Sequence, residues 1–253
     1  MTDLTAALSD FAARPRVIVA SDFDGTLAPI VADPAAARAL PQGRTALESL
    51  AALPNTDVAL ISGRSLADLG KLSGAPAGVL LIGTHGTEYP PGRGPASPLT
   101  TEQRALHETV VAELRAIADP LPGTQVEVKP SGAALHYRNA SRPDAERADA
   151  AVLAGPAARD GVTLLRGKQV VELSVITGDK GTAIENLRTA APDAAVLFVG
   201  DDVTDEHAFA VLTGPHDLGV KVGEGASAAD WRIPDPAAVA DMLQELARQR
   251  AAG

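Results

Sequence analysis

Five short, predominantly apolar runs constrain the architecture of this chain more than any other feature. They are "VIVA" at 17–20, "VALIS" at 58–62, "GVLLIG" at 78–83, "AVLFVG" at 195–200 and "LGVKVG" at 218–223. Each is too short for a buried helix and lacks the polar alternation of a half-exposed strand, so each reads as a fully buried strand. Helical patterns lie between them, over 41–53, 65–72, 180–189, 205–212 and 237–248. Buried strands alternating with helices imply an α/β fold, a parallel sheet covered on both faces. In such sheets a ligand lies at the carboxyl ends of the strands.

The middle of the chain follows a different pattern. After the Pro- and Gly-rich "YPPGRGPASP" comes a helix over 101–118, with Leu106, Val110, Leu114 and Ile117 as its apolar stripe. Thr100 and Gln103 suit a capping box at its start. "QVEVKP" and "AALHYR" then alternate as strands, a second helix follows Ser141 with Pro143 near its start, and "GVTLLRGKQVVELSV" reads as a β-hairpin. The order helix-strand-strand thus occurs twice. It predicts an α+β domain at 91–174, inserted into a Rossmann-like core formed by 1–90 and 175–253. In the expected strands, Glu127 and Lys129 face away from Val126 and Val128. His136 and Arg138 alternate with Leu135 and Tyr137, and Glu172 is out of phase with Val171 and Leu173. One sheet face would then carry acids, bases and an imidazole, suited to a sugar with many hydroxyls, although a merely solvated face has the same composition.

Composition narrows the partners. A chain of 253 residues with a formal charge of −10 is a poor match for nucleic acid or an anionic membrane. Cysteine is absent, which excludes disulfides and thiolate metal sites. The opening "MTDLTAALSDFAARPR" is too short and too acidic for a secretory signal, and no apolar run approaches a membrane span. The expectation is a soluble, cytoplasmic protein acting on a small molecule.

The chemistry concentrates at the strand ends. Asp22 and Asp24 follow the first strand, two positions apart, and Gly25 permits a turn. Like charges about 4 Å apart repel by roughly 4 kcal/mol at an effective dielectric near 20, so something must offset them. A calcium loop does not fit, because Ala20 would take its first ligand position and Val31 its bidentate glutamate position. A solvated turn accounts for most such strings. A phosphoryl-transfer site, with one carboxylate attacking phosphorus and the other handling protons beside Mg²⁺, is the reading that the other strand ends favour. Ser62 follows the second run, Lys180 opens a helix, and Asp201 and Asp202 follow "VLFVG", with Asp205 one helical step on.

Asp-x-Asp-Gly-Thr, then Ser, then Lys, then Gly-Asp-Asp-x-x-Asp resembles the four-part signature of haloacid dehalogenase-like (HAD) phosphohydrolases. "GTHGTE" at 83–88, "VEVK" at 126–129, "ALHYR" at 134–138 and "GDDVTDEHAF" at 200–209 are similar to the trehalose-6-phosphate phosphatases within that superfamily. The resemblance implies Asp22 as nucleophile, Asp24 as general acid and base, and Ser62 and Lys180 as phosphoryl anchors. Mg²⁺ would be held by Asp22, Asp201 and the backbone carbonyl of Asp24. Arg64, His85, Glu88, Glu127, Lys129, His136, Arg138 and Glu172 are implied as substrate-binding, and a trehalose-6-phosphate synthase as the enzyme to which activity would be coupled. A loop role for His85 competes with this reading; no second histidine stands at zinc-ligand spacing. The rival functions are phosphatases of sucrose 6-phosphate or of glucosyl- or mannosylglycerate phosphate, a non-catalytic sugar-phosphate sensor, and a phosphomutase.

Overall fold

A computed structural model of the protein describes residues 3–94, 99–129, 131–167, 169–176 and 178–253. Residues 95–98 of the Pro- and Gly-rich stretch, Pro130 of the expected strand and Lys168 of the expected hairpin lie outside the described residues. The chain divides into two compact units, Met1–Gly94 with Gly178–Gly253, and Pro95–Thr177. These breaks fall a few residues after 90/91 and 174/175.

The first segment runs α1 (Leu4–Ala12), β1 (Val17–Ser21), α2 (Pro41–Ala51), β2 (Thr56–Ile61), α3 (Leu66–Ser73) and β3 (Val79–Ile82). The second unit holds α4 (Thr101–Ala118), β4 (Gln125–Lys129), β5 (Gly132–His136), α5 (Arg142–Ala154), β6 (Thr163–Gly167) and β7 (Val170–Ser174). The chain then returns through α6 (Lys180–Ala190), β8 (Ala195–Gly200), α7 (Glu206–Ala210), β9 (Leu218–Val222), β10 (Trp231–Ile233) and α8 (Pro236–Ala252).

The first unit is a parallel sheet of order β10-β9-β8-β1-β2-β3. Every residue of β1 is buried, and alternate side chains feed two separate cores. Val17 and Val19 pack with Phe11, Leu47, Leu50, Leu69, Leu243 and Leu246 from α1, α2, α3 and α8. Ile18 and Ala20 pack on the opposite face with Ala183 and Ile184 of α6 and with Phe209 of α7. A strand clothed on both sides needs no polar alternation, which is why Val17, Ile18, Val19 and Ala20 run without a polar residue between them. Each fully buried Val, Ile or Phe contributes roughly 1.5–3 kcal/mol. Strand order reverses direction at the centre: β2 and β3 lie to one side of β1, and β8 to β10 to the other. That switch point opens a crevice at the carboxyl ends of β1 and β8.

The second unit is an antiparallel sheet of order β4-β5-β7-β6. Ala133, Leu135, Val171 and Leu173 form its inner face with Val110 and Leu114 of α4 and Ala148 and Val152 of α5. The capping box forms as the sequence implies, with Thr100 and Gln103 bonded reciprocally. Arg138 departs from expectation. β5 ends at His136, and residues 137–140 turn, with Ala140 N–H donating to the Tyr137 carbonyl at 3.2 Å. The last bond of this segment to its sheet neighbour is Tyr137 N–H to the Gln169 carbonyl at 3.1 Å, after which the chain turns toward Ser141, which caps α5 by accepting from Asp144 N–H at 3.3 Å. Arg138 is therefore exposed and off the sheet face. Two elements, α1 and β10, are additional to the sequence expectation. No helix among the described residues is long and apolar enough to cross a membrane.

Candidate active site

Asp22 is the first residue past β1, and its N–H still pairs with the Val199 carbonyl of β8 at 2.9 Å. Its carboxylate is buried. Lys180, the first residue of α6, brings its Nζ to 2.9 Å from Asp22 Oδ1 and 2.6 Å from Asp205 Oδ1. Asp179 fixes this start of α6 by accepting from Thr182 N–H at 2.8 Å. Burial pushes the Asp22 carboxyl well above the usual range, with Lys180 pulling against it. Burial likewise pushes Asp205 up to about 6, opposed by Lys180. Burial works against the ammonium too, yet Asp22 and Asp205 together hold its pKa above that of an ordinary lysine.

The acidic loop after β8 assigns separate tasks to its members. Asp205 accepts from Lys180 on Oδ1 and from Asp202 N–H on Oδ2 at 2.9 Å. Gly200 is needed there because a Cβ would collide with the Asp205 carboxyl. Asp202 is half exposed and closes the loop, accepting on Oδ1 from Thr204 N–H at 2.8 Å and Thr204 Oγ1 at 2.7 Å. Burial opposes the Asp202 charge, but Lys180 and the bonds from Thr204 hold its carboxyl below the usual range. Asp201 accepts from the buried Thr26 hydroxyl at 3.2 Å. Burial raises the Asp201 carboxyl, the Asp202 charge adds to this, and Thr26 pulls it back. Gly25, at φ 77°, sits against Asp201 so closely that any Cβ would meet its carboxylate.

Carboxylate oxygens of Asp22, Asp201 and Asp205 lie within 4.8 Å of one another. Hard oxygen donors of this kind fit Mg²⁺, which takes few protein ligands and keeps waters. Both oxygens of Asp205 already serve Lys180 and Asp202, which leaves Asp22 and Asp201 as the better placed pair. Charge points the same way. Among the described residues, the five carboxyl groups of Asp22, Asp24, Asp201, Asp202 and Asp205 face three cations, Arg64, Lys180 and Lys221. Lys221 is the residue that sequence reasoning passed over. It lies in β9, is buried, and donates its ammonium to the Asp201 carbonyl. Its only sequence signal is a lysine inside an otherwise apolar run.

Asp24 turns its side chain to Arg64. The Arg64 Nε donates to Asp24 Oδ2 at 2.6 Å and Nη2 donates to Oδ1 at 2.6 Å. Arg64 lies over the Phe23 ring, 5.6 Å from its centroid, and the Asp24 hydrogen bond raises the guanidinium pKa. Ser62, buried just past β2, accepts from Arg64 N–H at 3.2 Å through its hydroxyl.

The loop "GTHGTE" abuts Ser62. Thr84 and His85 both have positive φ, 46° and 54°. Left-handed geometry costs about 1–2 kcal/mol per ordinary residue and persists only where the surroundings enforce it. Here they do: Thr84 N–H donates to the Arg64 carbonyl at 2.8 Å and His85 N–H to the Ser62 carbonyl at 2.9 Å. The His85 ring lies so close to Gly63 that a Cβ there would collide with it. Glu88 has its Oε2 committed to Leu66 N–H at 2.7 Å and the Thr84 hydroxyl at 3.1 Å, so it anchors the loop and the start of α3.

The remaining sequence candidates belong to the second unit. Register places Glu127, Ala134, Glu172 and Leu165 in one row, and His136 beside Gln125. Lys129 Nζ is 2.7 Å from Glu172 Oε2, and His136 Nε2 is 2.9 Å from Glu127 Oε2. These four form two polar pairs on the face opposite the helices.

The family model described as trehalose-phosphatase matches residues 20–236. The chain belongs to the trehalose-phosphatase family. Trehalose-phosphate phosphatase of Mycobacterium marinum is 38% identical over 248 residues, covering 93% of this chain and 62% of the relative. The enzyme of that name from Mycobacterium tuberculosis strain H37Rv is 37% identical over 241 residues, covering 90% of this chain and 60% of the relative. The chain thus spans about three-fifths of the length of these members of the trehalose-phosphatase family. Among solved structures, trehalose-6-phosphate phosphatase of Aspergillus fumigatus superposes with a TM-score of 0.64 at 27% identity, covering 98% of each chain. A haloacid dehalogenase-like hydrolase from B. subtilis shares the fold, with a TM-score of 0.54 at 16% identity, covering 90% of this chain and 98% of that one. The core is accordingly the HAD fold.

Proposed function

We propose that this chain hydrolyses trehalose 6-phosphate to trehalose and inorganic phosphate with Mg²⁺, through an aspartyl-phosphate. The observation that carries the chemistry is the buried Asp22 carboxylate at the end of β1, held against Lys180 beside Asp201. The trehalose-phosphatase match supports the substrate. Asp22 attacks phosphorus in line with the sugar oxygen, and the bond from phosphorus to that oxygen breaks. Asp24 gives the departing oxygen its proton. It then takes a proton from the water that attacks the aspartyl-phosphate and frees Asp22. Lys180 and the Ser62 hydroxyl hold the phosphoryl oxygens through the transfer. Asp22, Asp201 and the Asp24 carbonyl would hold Mg²⁺, which would supply the positive charge that the carboxylate excess and the phosphoryl group require. We assign recognition of the disaccharide to the second unit through Glu127, Lys129, His136 and Glu172, with the loop residue His85 as a further contact.

The test is phosphate release across trehalose 6-phosphate, sucrose 6-phosphate and glucosyl- and mannosylglycerate phosphates. Trehalose 6-phosphate should be preferred, and Asp22→Asn should abolish turnover while binding persists. Preference for another sugar phosphate would overturn the substrate, binding without turnover would make the chain a sensor, and bisphosphate-dependent transfer would make it a mutase. Asp24→Asn should spare an aryl phosphate, whose leaving group needs little protonation. A cytoplasmic setting and functional coupling to a trehalose-6-phosphate synthase complete the proposal; cell fractionation and flux through the paired enzymes test them.

A further inference from the structure

Both oxygens of the Asp24 carboxylate are taken by one guanidinium, at 2.6 Å each. A general acid must present an oxygen to the leaving group at about 2.6–3.2 Å. An aspartate clamped in this way directs both of its oxygens to Arg64. The clamp is not locked in the core, for the Asp24 side chain is 32% exposed and that of Arg64 16%. Arg64 is also tied to the phosphoryl anchor, since its backbone N–H donates to Ser62 Oγ. A guanidinium fork matches a phosphate as well as a carboxylate, in the same two-pronged geometry.

We infer that Arg64 is a positioning residue that clamps Asp24 in the ligand-free protein and exchanges that carboxylate for a phosphoryl oxygen when a phosphate monoester binds. Resting on the reading of Asp24 as the acid and base, this makes proton transfer conditional on occupancy. Asp24 is freed by the same anion whose departing oxygen it must protonate. Water entering an empty site meets an aspartate still engaged. The Phe23 ring beneath Arg64 gives the guanidinium a fixed platform in either arrangement.

The experiment follows the Arg64 Nε–H resonance in the full chain labelled with ¹⁵N-arginine, assigned by its disappearance in Arg64→Lys. Inorganic phosphate, added with Mg²⁺, is the probe. The resonance should shift on saturation, and Arg64→Ala should weaken phosphate binding by about ten- to hundredfold. The KM for the sugar phosphate should rise by more than kcat falls. A purely structural pair predicts a resonance unmoved by phosphate, and that result overturns the inference even if Arg64→Ala fails to fold, because it is read on the unaltered protein. Failure of the underlying reading looks different. If Asp24 were not the acid, Asp24→Asn would damage aryl and sugar phosphates equally, whatever the resonance does.

Discussion

Lys180→Met keeps most of the bulk of the lysine side chain and removes the charge shared by Asp22 and Asp205. The three side chains are 2%, 5% and 0% exposed, so water cannot replace the lost ammonium. Removing one partner of such a buried pair costs about 3–5 kcal/mol. The pH dependence has a definite sign. Asp205 titrates at about 6 in the folded protein against an ordinary 3.8. A carboxyl with a raised folded pKa contributes stability that is full below the unfolded value and lost as pH rises through the folded one. The lysine, also raised, contributes in full at every pH below its ordinary 10.5, so it adds no slope in the acidic range. Without it both carboxyls rise further, and the deficit of the variant should be large at pH 7 and narrow toward pH 5. Urea unfolding in the presence of a chelator measures this directly. A deficit below about 1 kcal/mol at pH 7, or one that widens on acidification, would refute the buried three-way pairing.

Three other outcomes follow from the site. Asp201→Ala should raise the Mg²⁺ concentration needed for half-maximal binding, read by calorimetry, whereas Asp202→Ala should disturb the loop more than the metal. Gly25→Ala should lose both stability and activity, because it adds a strained φ of 77° and a Cβ against Asp201; thermal unfolding with and without Mg²⁺ checks it. Lys129→Ala should lower catalytic efficiency on the disaccharide by about one to two decades, from charged hydrogen bonds worth about 1.5–3 kcal/mol, and leave an aryl phosphate almost unaffected. Equal losses on both substrates would mean that Lys129 supports the fold.

The parts of this structure that were legible in the sequence are those with local causes. Thr100, Gln103 and the Leu106–Val110–Leu114 stripe carry the whole of α4 within themselves, start to finish. The buried strands announced themselves because a sheet covered on both faces leaves no exposed position in β1 and so no polar alternation. The failures have non-local causes. Arg138 was expected to continue an alternating strand, but pairing with the neighbouring hairpin ends at Tyr137, whose N–H donates to the Gln169 carbonyl, and the chain turns there. β10 has three residues and is defined by its pairing with β9 alone. The Asp24–Arg64 clamp joins residues 40 apart in sequence, and Lys221 reaches Asp201 from another strand. Sequence placed the candidates at strand ends but gave no reason to foresee which would hold which.

The catalytic unit is interrupted, and the interruption bears on how the chain emerges from the ribosome. β1, β2 and β3 are complete by Gly94, but the partner on the other side of β1 is β8, starting at Ala195. The roughly one hundred residues between them take about 5–20 s to synthesise. For that interval one edge of β1, a strand apolar but for Ser21, is without its neighbour, while Pro95–Thr177 has all of its own sheet and can fold first. Unpaired apolar strand edges are where nascent chains associate wrongly. The insertion therefore makes a chaperone requirement most acute between the completion of β3 and that of β8, and a chain with translation slowed inside residues 95–177 should lose soluble yield before it loses specific activity.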